Sequence, residues 1–252
     1  FDNVCGDTIC SGDYSNLTTV ELTCSSTAAM RKLKDCTWVL GGSIEYVDAR
    51  TGKLTSDARV FTCKIPVLGT AKTMLKALEA AGDDALFTPI PATGKSFYDG
   101  LVDCFDGVGG GPPPAEPEKT FYVELGDWAW EASDAQGLSW LHTKRRLADN
   151  FDSICGDSFC EGEYSDISPL RFACSVNLNT QRVSRCSWAF AAAELEVDSR
   201  GAIAARTTTK RCNIEVGSKA STFMAALEGD DPLFATLPGK TTSIYDALIG
   251  CL

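Results

Sequence analysis

Four acidic side chains stand at matched places in two cysteine- and glycine-rich stretches. Asp7 and Asp13 lie in CGDTICSGDYS, and Asp157 and Glu163 lie in CGDSFCEGEYS. Two carboxyls held roughly 5–10 Å apart can divide acid and nucleophile or base work in a hydrolase. The spacing of Asp7 and Asp13 permits that across a turn. The competing role is structural, because Asp and Gly also shape and cap turns. A cation site is a lesser alternative, since the alternating oxygen ligands of a calcium loop are missing. Neither a metal nor a cofactor is expected.

Other chemistries are less well provided for. A Ser-His-acid triad needs a histidine at each site, and His142 is the only one in the chain. The segment Ala92–Asp99 contains GKS but no upstream glycine of a phosphate loop. The shared GDD-x-L-F elements, Gly82–Phe87 and Gly229–Phe234, are read as helix C-caps with the apolar pair returning to the core. The sequon Asn16-Leu17-Thr18 has no counterpart in the second stretch, where Asp166-Ile167-Ser168 stands.

These acidic stretches open two copies of one sequence, residues 1–105 and 151–252. Cys5, Cys10, Cys24, Cys36, Cys63 and Cys104 recur in the same order as Cys155, Cys160, Cys174, Cys186, Cys212 and Cys251. An even set divided equally reads as a disulfide framework rather than zinc knuckles, and it places the chain in a secreted, periplasmic or cell-surface setting. Sequence does not select among the pairings that six cysteines permit. Bridges from helix to sheet are expected, with Cys63–Cys104 and Cys212–Cys251 foremost, whereas Cys5–Cys10 would close too small a loop to constrain much. The net charge of −11 argues against a nucleic-acid partner. No apolar run approaches the length of a transmembrane helix. The chain begins without Met, at the start of the first copy, which reads as a processed or trimmed end.

The elements that must hold these residues follow from local pattern. Apolar residues at steps of three and four predict a helix over Phe151–Ser165, with Phe1–Ser15 as its counterpart. Three strands follow: Thr19–Ser25, Cys36–Val47 and Lys53–Ile65 in the first copy, then Leu170–Val176, Cys186–Val197 and Ala202–Val216 in the second. The last two strands are joined by glycine-bearing turns at Asp48–Lys53 and Asp198–Ala202. Helices near Thr70–Ala81 and Ser218–Glu228 come next. Final helices begin at the capping boxes of Ser96 and Ser243. The expected fold is therefore α+β: two tandem copies of a disulfide-rich module. Each is an antiparallel meander of three or four strands with an N-terminal helix and two C-terminal helices on the sheet.

The division expected is 1–105 for the first module, 106–119 for a Gly/Pro-rich linker and 120–252 for the second module. In the last, residues 120–150 form a strand and helix extension. Thr120–Ser133 alternates like a strand, and Gly137–Asn150 reads as a helix that can continue into Phe151. This unrepeated piece is rich in aromatics, and Tyr122, Trp128, Trp130 and Trp140 are the candidate binding residues, with Phe121 beside them. Aromatics of this kind anchor interfaces or sugars. Trp38 and Trp188 are read as core residues beside disulfides.

The reading favours a non-enzymatic, extracellular binding or structural protein whose partner is a protein, a glycan or another copy of itself. A secreted hydrolase using Asp7, Asp13, Asp157 and Glu163 is the alternative, and a protease inhibitor with an exposed stapled loop is a third.

Overall fold

The computed structural model describes residues 14, 16–28, 31–105, 120–156 and 158–252. The predicted N-terminal helix of the first copy therefore lies outside the described residues, as do Cys5 and Cys10. Strands β1 (Thr18–Ser26), β2 (Leu33–Val47) and β3 (Leu54–Ile65) form one antiparallel sheet. Helices α1 (Ala71–Ala81) and α2 (Phe97–Phe105) follow it. The unrepeated segment supplies β4 (Tyr122–Glu124), α3 (Leu125–Ala132) and α4 (Asp134–Cys155). Strands β5 (Asp166–Asn177), β6 (Arg182–Val197) and β7 (Ile203–Glu215) join β4 in a second sheet, ordered β4-β5-β6-β7. Helices α5 (Ala220–Ala226) and α6 (Ile244–Ile249) close the chain.

Local signals explain much of this. Gly52 and Gly201 hold φ of +69° and +77° in the two hairpin turns, which a Cβ would strain. Asp48 accepts hydrogen bonds from the amides of Arg50 and Thr51, tightening the first turn. Ser96 and Ser243 each accept from the amide of an Asp three residues on, and that Asp accepts from the serine amide.

The expected pair of like modules, each carrying an N-terminal helix and two C-terminal helices, is overturned. Among the described residues there are six α-helices, few and unevenly shared. The one long helix, α4 with 22 residues, belongs mostly to the unrepeated segment, while α5 and α6 have only 7 and 6 residues. The helix expected over Phe151–Ser165 is only the last turn of α4 and stops at Cys155. Thr120–Ser133 is not one strand either. Glu124 ends β4 and turns its carboxylate onto the Gly126 amide at 2.7 Å, capping α3. Gly82 caps α1 as expected, but α5 ends at Leu227, ahead of Gly229.

The larger departure is that the two sheets are not separate. Their inner faces pack on each other, and Val20, Val39, Ala191 and Ala193 form a shared cluster. Alternation along β6 sends Trp188, Phe190 and Ala192 into the outer core and Ala191 and Ala193 inward. On β2, Gly41 sits opposite Ala191, and a Cβ there would overlap the alanine methyl. Backbone is also bonded across the seam: Ser25 Oγ donates to the Gly201 carbonyl at 2.6 Å, and Ser168 Oγ donates to the Thr19 carbonyl at 3.1 Å. The layers run helices, sheet, sheet, helices.

Five disulfides occur among the described residues. Cys63–Cys104 and Cys212–Cys251 staple β3 to α2 and β7 to the end of α6. Cys24–Cys36 and Cys174–Cys186 join directly opposed residues of neighbouring strands, with Cα atoms 4.1 and 4.0 Å apart. Cys155–Cys160 closes a local loop. In the loop-closure account the helix staples contribute about 4 kcal/mol each and the strand pairs about 3.

Gly41→Val is expected to destabilise the protein by about 1–3 kcal/mol through overpacking of the seam. Gly229→Ala, where a Cβ meets nothing closer than 4.0 Å, serves as the control. Urea unfolding monitored by tryptophan fluorescence measures both.

Candidate functional site

Of the four acids singled out in the sequence, Asp7, Asp13 and Asp157 lie outside the described residues. Glu163 is exposed in the bend after Cys160. The four aromatics of the unrepeated segment are not gathered on one surface. Trp140, on the inner side of α4, is 1% exposed. Its ring centre lies 5.9 Å from that of Phe172 and 6.2 Å from that of Phe223. It is placed in the core cluster of the second sheet, where it anchors α4. Trp128 is half-buried and donates from Nε1 to Gln181 Oε1 at 2.6 Å. Tyr122 lies over Gly52, where an added Cβ would strike its ring. Trp130 remains exposed, lying over Gly137.

A cleft opens between the halves, lined by Asn16, Lys144, Arg145, Arg171, Phe172 and Trp188. Behind it lies a charged joint. Glu45 comes from β2 with its side chain 1% exposed, and its Oε2 lies 3.5 Å from Arg171 Nε on β5. Ser56 Oγ donates to Glu45 Oε1 at 3.0 Å. Glu124 accepts from the amides of Gly126 and Cys174 at 2.7 and 3.3 Å. Burial holds the carboxyls of Glu45 and Glu124 above their ordinary range and pulls the Lys144 ammonium below its own, while Glu124 works against the latter. Two acids and two bases thus compensate each other across β2, β4, α4 and β5. That arrangement joins the halves rather than offering one bare charge to a ligand.

An unmatched surface appears when equivalent positions of the two sequence copies are compared. The disulfides and the bridges Lys32↔Thr70 and Arg182↔Lys219 set the equivalence. Leu22 matches Phe172, yet they are 43% and 4% exposed. Leu75 on α1 matches Met224 on α5, and these are 54% and 6% exposed. Both buried partners lie under α4: Phe172 meets Trp140, and Met224 shares a groove with Ala135, Gln136 and Ser139. Among the described residues, α1 and α2 pack on this face around Trp38, Cys63 and Ile65 but leave Leu22 and Leu75 exposed.

Sequence reasoning missed this face because Leu22 and Leu75 are apolar like their counterparts, and only their exposure differs. The joint left one signal, namely that Glu45 stands where Leu195 stands in the second copy. Compared with protein-family models, curated proteins and solved structures, the chain matches none. Five disulfides are compatible with a secreted or extracellular protein, and among the described residues no helix is long and apolar enough to cross a membrane.

Because Glu45 is more basic in the fold than in the unfolded chain, the native state holds its proton more tightly. Its penalty is absent below about 4.5 and grows as pH rises through the raised value. Glu45→Gln should therefore gain stability relative to the parent as pH rises above about 4.5. Urea unfolding at several pH values reads the difference, and a pH-independent gap between the two proteins would contradict it.

Proposed function

We propose that this chain is a non-enzymatic, extracytoplasmic binding protein that presents the exposed Leu22 and Leu75 of its first half to a partner protein. In this reading residues 1–105 and 120–252 form two halves joined by the Gly/Pro-rich 106–119. The observation that carries it is the unequal exposure of matched apolar residues, Leu22 against Phe172 and Leu75 against Met224. An exposed apolar face of this kind marks an interaction site more often than a lone exposed leucine does. The exposed groups are aliphatic, which favours a protein over a glycan, since sugar sites stack the ligand on aromatic rings. The charged joint supports a binding role in another way: its acids are committed to Ser56, Arg171 and backbone amides.

The test is site-specific photo-crosslinking of the whole chain in the extracellular fraction of its source. A photoreactive residue at position 22 or 75 should yield the same discrete protein adduct. Ile249, which is 58% exposed on α6 of the second half, is the control and should not. Leu22→Glu with Leu75→Glu should unfold within about 0.5 kcal/mol of the parent, because both side chains already face solvent. Absence of adducts at 22 and 75, or equal adducts at 249, overturns the proposal.

A further inference from the structure

We infer that the first half holds a free amphipathic monoanion, a long-chain alkyl carboxylate, in the groove at the end of β3, with its chain along Ile65, Pro66, Val67 and Leu68 and its head group at Lys34 and Lys64. This is a second surface, lined by residues other than Leu22 and Leu75, and it goes beyond the binding role proposed above.

The groove has a volume of about 570 Å3, a size usual for small-molecule sites. Its floor is the run Ile65-Pro66-Val67-Leu68, where the chain leaves β3 for α1. Ile65 and Val67 are 2% and 8% exposed and fix the strip to the core, whereas Leu68 is 55% exposed. An alkyl chain laid on Leu68 takes apolar surface of both out of water. Pro66 has no N–H to give, so the strip suits hydrocarbon better than a peptide backbone. Thr93, which also lines the groove, spends its hydroxyl in its own turn, donating to the carbonyls of Ile90 and Lys95 at 2.8 and 2.9 Å.

Three lysines stand round this floor, Lys34, Lys64 and Lys95, against one acid, Asp35. Lys95 is offset by Asp103 on α2. Lys34 Nζ donates to the Arg200 carbonyl, which orients the ammonium without cancelling its charge. Beyond it, Asp198 and Arg200 pair with each other. With Asp35 counted, one positive charge is left over in the lining, in a chain whose net charge is −11. One carboxylate complements that charge, and a cationic head group is repelled by it.

The second copy does not repeat this combination. Counted from the matched cysteines and capping serines, Lys34, Lys64 and Lys95 stand where Ser184, Asn213 and Thr242 stand, and Pro66 and Leu68 match Glu215 and Gly217. Its basic residues fall at Arg185 and Lys240 instead, in place of Asp35 and Thr93. A carboxylate and a glycine thus break the apolar strip there, and the matched residues supply substitutions that the same backbone already carries.

The probe is dodecanoate, kept below its micelle-forming concentration and titrated into the full chain by isothermal titration calorimetry. One saturable site is expected, with dodecyltrimethylammonium and dodecanol each binding roughly tenfold more weakly or worse. Lys64→Asn and Leu68→Gly should each weaken dodecanoate by roughly tenfold, while Lys72→Ser on α1 leaves it unchanged. Lysine acetylation of the parent chain needs no variant: dodecanoate should protect Lys64 and not Lys72 or Lys76. Equal affinity for carboxylate, ammonium and alcohol overturns the inference, as does indifference to both variants or protection spread evenly over these lysines. Capture by anionic vesicles without binding of monomeric dodecanoate also overturns it, by assigning the lysines to a membrane surface. Tighter binding of a Glu-rich peptide at the same lysines overturns it in favour of a protein. Failure here leaves the role of Leu22 and Leu75 standing, because crosslinks from those positions test that role separately.

Discussion

The molecule depends on the close approach of its two sheets. Neither sheet can leave its inner face to water, because Val20 and Val39 on one side and Ala191, Ala193 and Leu195 on the other are apolar. Close approach requires small side chains where the strands cross, and Gly41 against Ala191 supplies them. With the inner faces sealed against each other, helices are needed only outside. The disulfides reinforce this layering. Two of them tie α2 and the residues just after α6 to β3 and β7, and two lock neighbouring strands in register.

Sealing the seam forces charge into it. Glu45 would be stranded on β2 without Arg171 from the other sheet, and buried charge is tolerated only with a partner and hydrogen bonds. The unrepeated segment adds Glu124 and Lys144 to the same place. Glu124 serves three needs at once: it terminates β4, caps α3 and satisfies the outward amide of Cys174. One carboxylate thus links the strand edge, the helix entry and the joint between halves, so its burial is stabilised by bonds that no solvent-exposed acid at that position would make.

The two halves are unequal because α4 serves only one of them. Trp140, Leu147 and Phe151 bury on the second sheet, and the residues beneath them are sealed. Leu22 and Leu75 meet no such cover. Similar side chains at matched places therefore differ in what they can do, and the difference lies in a neighbouring element, not in the residues themselves.

Much of the local structure was legible in the chain. The three-strand order in each copy, the glycine turns, and the capping boxes of Ser96 and Ser243 follow from spacing, φ requirements and hydrogen bonds within a few residues. The strand reading of Thr120–Ser133 failed because a side chain, Glu124, competes for the backbone and starts a helix. The expectation of two like modules failed for a longer-range reason: periodicity tells which face of a strand is apolar but not what covers it. That Gly41 meets Ala191, that Glu45 meets Arg171, that Trp140 is interior and that Leu22 is bare were all decided by tertiary packing. Each depends on where an element distant in sequence comes to rest, and no local pattern of residues carries that information.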